Sequence, residues 1–203
     1  MTHEDNVQAW YSLLGARWYN PFKAVWTWAV CRKAEREFVQ LLKENGKGMR
    51  ILELGCGTGI NIGRLLDNGV EFKSYLGYDF NESMLRISRK RFGDVKNVSL
   101  EQKDVTKKVS GKHDIIISTW VFSLLEDRVG LVKGKYANLT KGGRMFLIFL
   151  TKPKWYIHFW MFPWIWFFAA RYVSQSEIDA FPGRKKVRTW AGGITTLVEI
   201  QKA

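Results

Sequence analysis

The residues best suited to do chemistry run from Ile51 through Leu52, Glu53, Leu54, Gly55, Cys56, Gly57, Thr58 and Gly59 to Ile60: an apolar run holding one acid, then glycines at alternate positions. A glycine turn between a strand and a helix lets a ligand come close to the backbone. The helix after it presents unpaired N–H groups, so the stretch reads as the site of a nucleotide-like cofactor. Spacing narrows the chemistry. A dinucleotide fingerprint is G-x-G-x-x-G and a phosphate-cradling P-loop carries a lysine, and this loop has neither. The Glu53 carboxylate would repel a pyrophosphate but suits a ligand with a cationic amino-acid end. Asp79, 20 residues past Gly59, closes a second apolar run, where an acid can accept both hydroxyls of a ribose. Phe80 follows it, placed to pack on an adenine ring.

The segment E-L-G-C-G-T-G, Glu53 to Gly59, resembles motif I of the class I S-adenosylmethionine-dependent methyltransferases, and the likeness extends over about Met49 to Leu150. It implies S-adenosylmethionine as cofactor and S-adenosylhomocysteine as product, with Gly55, Cys56, Gly57 and Gly59 forming the cofactor loop. It further implies that Asp104 and Val105, after a third strand, meet the adenine amino group. Thr119, with Trp120, Val121 and Phe122, is then the edge where methyl group and acceptor meet. The fold it implies is α/β, a Rossmann-like seven-stranded sheet in the order 3-2-1-4-5-7-6 with helices on both faces. A sulfonium methyl is already electrophilic, so alignment and exclusion of water are the main demands on the protein. Tyr11, Tyr19 and His158 are the candidates for helping an amine lose its proton; His113, at the start of a strand, is expected to be remote. No metal site is assigned.

Acceptor class is read from the residues after the fourth strand and from the distribution of aromatic side chains. Ser118, Thr119, Trp120 and Val121 stand where methyltransferases of nucleobase or glutamine amino groups carry D/N-P-P-Y/F, and no paired-glutamate loop of the protein arginine methyltransferases is found. A nucleic-acid partner is therefore disfavoured. Eight of the ten tryptophans fall in two stretches: Trp10, Trp18, Trp26 and Trp28, then Trp155, Trp160, Trp164 and Trp166. The 14 residues from Trp155 to Phe168 hold nine Trp, Tyr or Phe and no Asp, Glu, Lys or Arg, more than one helix face can bury. Tryptophan favours the bilayer interface, and flanking cations such as Lys152, Lys154 and Arg171 attract anionic headgroups. The expectation is a lipid substrate on an anionic membrane surface, a headgroup amine of the phosphatidylethanolamine type, as in bacterial phospholipid N-methyltransferases, which the overall plan resembles. The alternatives are a soluble hydrophobic acceptor, such as a quinone precursor or thiol, and a protein that binds the cofactor without turnover or an RNA-associated factor that uses Arg184, Lys185, Lys186 and Arg188.

Several elements must position these residues. Val7, Trp10, Tyr11, Leu14 and Trp18 share one helical face, ended by Asn20 and Pro21; a second periodic stretch runs from Phe22 to Leu41. Strands are expected at Met49 to Leu54, Ser74 to Tyr78, Val98 to Gln102, Asp114 to Ser118 and Arg144 to Leu150. Helices are expected at Ile60 to Asn68, Glu82 to Phe92 and Glu126 to Leu139, the last closed by Lys141, Gly142 and Gly143. A short helix over Ser176 to Phe181 and a hairpin of Lys186 to Trp190 with Thr195 to Gln201 complete the chain.

With 203 residues, 46% of them hydrophobic, the chain suffices for one domain: a helical lid (1–48), a cofactor core (49–150), a Trp-rich insertion (151–183) and a closing hairpin (184–203). Lys and Arg number 32 against 19 Asp and Glu, a net charge of +13 that favours anionic partners. Two cysteines are too few for a disulfide framework, and His3, Glu4 and Asp5 stand where a signal peptide would be basic. The apolar run after Trp155 is broken by His158 and Pro163 and is too short to cross a bilayer. A cytoplasmic protein, peripheral at the membrane, is the resulting expectation.

Overall fold

A computed structural model describes residues 30–159 and 170–203. Tyr11 and Tyr19, the first aromatic stretch, and Trp160, Trp164 and Trp166 lie outside the described residues. Helix α1 (Arg32–Asn45) buries Ala34, Phe38, Leu41 and Leu42, a stripe at three- and four-residue spacing. Strand β1 (Arg50–Leu54) comes next, then α2 (Ile60–Asp67), β2 (Ser74–Asp79), α3 (Glu82–Phe92), β3 (Val98–Gln102) and β4 (His113–Thr119). A 3-10 turn, Val121–Leu124, leads to α4 (Arg128–Ala137) and the long β5 (Leu139–Leu150). The chain closes with α5 (Gln175–Asp179), β6 (Arg184–Trp190) and β7 (Thr195–Gln201).

The seven strands form one sheet in the order β3-β2-β1-β4-β5-β7-β6, as the resemblance implies. Strands β1 to β5 pair in parallel; β7 pairs antiparallel with β5 and β6. Both faces are covered, so the central strands are continuous apolar runs rather than alternating ones. Leu52, Leu54, Ile116, Leu147 and Val198 build the core on one face. Ile51, Ile115, Ile117, Phe146 and Leu197 build the other, against Phe38 and Leu42 of α1 and Ile62 and Leu65 of α2. Because β1 lies between β2 and β4, the chain reverses its direction across the sheet there, and a crevice opens beyond the carboxyl ends of those strands.

The stretch after α4 differs from expectation. The helix stops at Ala137, and Lys141–Gly143 lies within β5 instead of closing a helix. Gly142, at φ +74°, donates its N–H to Lys202 O at 3.1 Å, and Lys202 returns an N–H to Gly143 O at 2.9 Å. The tail after β7 thus satisfies this backbone, and the register with β4 jumps from His113–Leu139 to Ile115–Arg144. The short helix also begins earlier than expected, where Ser174 and Glu177 make a reciprocal capping box.

Candidate active site

The loop after β1 is shaped by where side chains are forbidden. Gly55 (φ +78°) hydrogen-bonds to Tyr78 O at 2.7 Å, and a Cβ there would lie 2.1 Å from Val121 Cγ2. Gly59 (φ +78°) starts α2 in the left-handed region, and a Cβ on it would lie 2.5 Å from Ser88 Oγ. Gly59 therefore packs the loop against α3 from behind. Gly57 is open, with nothing nearer to such a Cβ than Asp79 Oδ2 at 4.0 Å.

Glu53, Gly55, Cys56, Gly57, Asp79, Phe80, Asp104, Val105 and Thr119 line one cleft of about 1070 Å³, counted to its open mouth. Asp79 ends β2 with both oxygens engaged: Oδ2 accepts from Gly57 N–H at 2.8 Å and Oδ1 from Asn81 N–H at 2.9 Å. Burial raises its carboxyl pKa above the ordinary value, partly opposed by these N–H donors. Asn81, which no motif in the sequence marks, caps α3: its Oδ1 accepts from Ser83 N–H at 3.0 Å and Met84 N–H at 3.3 Å. That fixes the amide's orientation. Its Nδ2 is buried without a partner, an orphaned donor on a residue of the cleft wall. An Asn before Glu82 signals a helix cap in sequence, but nothing there reveals the spare N–H.

Glu53, buried at the end of β1, accepts from Asn61 Nδ2 at 2.5 Å and from the Tyr75 hydroxyl. Burial, then the Glu53 charge, push the Tyr75 phenol well above its usual range, so it stays a donor. The Cys56 thiol is likewise pushed far up by burial, then by Glu53 and Asp79, which keeps it protonated and a poor nucleophile. Asp104, after β3, also lines the cleft and accepts from Thr106 N–H at 2.8 Å.

At the end of β4 the Thr119 hydroxyl accepts from Asn61 Nδ2 at 3.1 Å. Trp120, next in chain, takes φ +74°, rare for a bulky residue, and its N–H donates to Ile148 O at 2.7 Å. Trp120 and Val121 complete the wall. His158 lies apart from the wall, with Nδ1 3.1 Å from the Tyr172 hydroxyl. His113 sits at the opposite end of β4, on Ser110 O at 3.2 Å, its pKa lowered by burial.

A family model for a methyltransferase domain matches residues 52–145, the stretch that carries this cleft. Over those residues the chain is similar to methyltransferase domains. It is 32% identical over 127 residues to a malonyl-[acyl-carrier protein] O-methyltransferase of Bacillus cereus, covering 60% of this chain and 45% of that protein. Over 150 residues it is 26% identical to a ubiquinone biosynthesis O-methyltransferase of Bordetella avium, covering 71% and 61%. The chain thus spans less than two thirds of these relatives' length. The N-methyltransferase NodS of Bradyrhizobium japonicum, solved with S-adenosylhomocysteine, superposes with a TM-score of 0.65 at 14% identity over 85% of this chain and 87% of its own. This likeness shows the class I methyltransferase fold around the cleft.

The open face of Gly57, the acid at Asp79 and the orphaned Asn81 donor fit an adenosine-bearing ligand. Glu53 and Thr119, both bonded to Asn61 Nδ2, fit a charged amino-acid end.

Proposed function

We propose that the methyltransferase domain binds S-adenosylmethionine in this cleft and directs its methyl group to an acceptor entering beside Thr119 and Trp120. The observation that carries the reading is a buried acid and a buried unpartnered donor, Asp79 and Asn81 Nδ2, on one wall of a glycine-lined cleft. Each Asp79 oxygen keeps a lone pair for a ribose hydroxyl after accepting its backbone N–H. Asn81 supplies an N–H to an acceptor on the nucleoside, and Glu53 supplies negative charge for the ammonium end. When bound, S-adenosylmethionine supplies a methyl group already activated by its sulfonium. The chain's own contribution is alignment and exclusion of water, worth ~7–11 kcal/mol of barrier when reacting atoms are well oriented.

The acceptor in this reading is a lipid headgroup amine at a membrane surface. Its support is a helical turn at residues 155–159 with Trp155 82% and Phe159 75% exposed, preceded by the exposed Lys152 and Lys154. In sequence the aromatic segment is flanked by two residues held on the 3-10 turn that follows the cleft wall: Leu150 N–H donates to Ser123 Oγ at 2.9 Å and Arg171 N–H to Ser123 O at 2.7 Å. Among the described residues no helix is long and apolar enough to cross a membrane. The two O-methyltransferase relatives favour a second reading, an oxygen acceptor on a soluble hydrophobic molecule.

Incubation with methyl-labelled S-adenosylmethionine and either phosphatidylethanolamine vesicles or a panel of soluble carboxylic and phenolic acceptors tests both. Label in the lipid amine is the expected result. Label only on a soluble oxygen acceptor overturns the lipid reading, and failure to bind the cofactor overturns the whole.

A further inference from the structure

A line of buried polar side chains runs from the cleft to α1. Asn61, in the first turn of α2, donates through Nδ2 to both Glu53 Oε1 and Thr119 Oγ1, while its Oδ1 accepts from Arg64 Nη1 at 3.1 Å. Arg64 in turn donates through Nη2 to Glu35 of α1. Glu35, Glu53 and Asn61 are each at least nine-tenths buried, so water is a poor substitute for these partners.

The contacts permit one orientation of the amide. Turned over, its oxygen would face the Glu53 carboxylate and its NH2 would face the Arg64 guanidinium, like against like. Because Thr119 Oγ accepts from Asn61, its own proton is left to donate elsewhere, and Thr119 lines the cleft. The wall therefore offers an anion and a hydroxyl donor side by side, complementary to the ammonium and carboxylate of an amino acid.

We infer that Asn61 is a positioning residue that sets Glu53 and Thr119 for the amino-acid end of the cofactor, and that the Arg64–Glu35 pair locks it from α1. Docking of α1 is then coupled to recognition of that end and not of the nucleoside. The inference rests on the S-adenosylmethionine reading.

Calorimetry with two ligands tests it: S-adenosylhomocysteine, and methylthioadenosine, which keeps the adenosine and thioether but lacks the amino-acid end. Wild-type protein binding neither would sink the cofactor reading itself. In Arg64→Met, S-adenosylhomocysteine affinity should fall about tenfold while methylthioadenosine affinity stays within about twofold, the size of one lost charge-assisted hydrogen bond. Glu35→Gln should move the same ratio in the same direction, and adding it to Arg64→Met should change little further. Equal weakening of both ligands, or no change in either, overturns the relay. Should Arg64→Met lose methylthioadenosine binding by failing to fold, Glu35→Gln decides by the same ratio.

Discussion

On the β1–β2 side of the sheet's carboxyl edge the polar groups are buried and held: Asp79 by two backbone N–H groups, Glu53 by Asn61 and Tyr75, Asn81 by the start of α3. On the β4–β5 side the edge turns apolar, from Trp120 and Val121 at the wall to the exposed Trp155 and Phe159 beyond β5. One side presents charge at fixed positions in a low dielectric, where each hydrogen bond counts for more than in water. The other presents hydrophobic area, which is non-directional and tolerant of shape. In the proposed reading the contrast divides recognition: a chemically invariant ligand is read by fixed polar groups, and an acceptor with an apolar body by surface.

The sharpest way to break this division is at the loop both sides share. Gly55→Ala places a methyl group against Val121 at a positive φ, so we expect S-adenosylhomocysteine binding to vanish and stability to fall by ~2–5 kcal/mol, measured by calorimetry and urea unfolding. Next, Asp79→Asn removes the charge and should cost about a hundredfold in affinity for S-adenosylhomocysteine, two charge-assisted bonds' worth, with little effect on vesicle binding. Asp79→Ala is a poorer probe because it strands both the Gly57 and Asn81 N–H groups, where Asn strands one. In wild-type protein the raised Asp79 pKa means the carboxylate takes up its proton at a higher pH than an ordinary aspartate. Affinity should accordingly begin to fall on acidification above the usual aspartate range, and a pH series of dissociation constants checks this.

On the apolar side, Trp155→Ser combined with Phe159→Ser should weaken flotation with anionic vesicles about tenfold and leave S-adenosylhomocysteine affinity unchanged. Loss of cofactor binding instead would merge the two sides. The smallest effect lies away from both. Arg50, by hydrogen bond and charge, holds Asp114 at about 2, below its ordinary 3.8. The folded pKa is depressed, so the stabilisation is present above about pH 4 and is lost as pH falls toward 2. Asp114→Asn should lower the melting temperature slightly at pH 6 and not at pH 2.

Legibility in the sequence follows the same division. Strands β3 and β4 and helix α3 match the expected stretches closely because period and apolar content are local properties. The glycine turn was legible because a backbone forced close to the Val121 turn and to α3 excludes side chains. The run Lys141–Gly143 misled, since glycines that could end a helix instead bridge to the tail after β7. Asn61 carried no signal: its role comes from Glu53, Thr119 and Arg64 converging from two strands and a helix turn.

The linear chain determined the alternation of strands and helices and the glycine crook, because apolar patterning is local and the absence of a side chain is written in the residue type itself. Folding decided which donors and acceptors were left over. That Asn81 keeps an unused N–H, that Asn61 has one permitted orientation and that Trp120 bends into the left-handed region are consequences of groups meeting from distant positions. Pairing of buried polar atoms is settled only when the last partner has arrived.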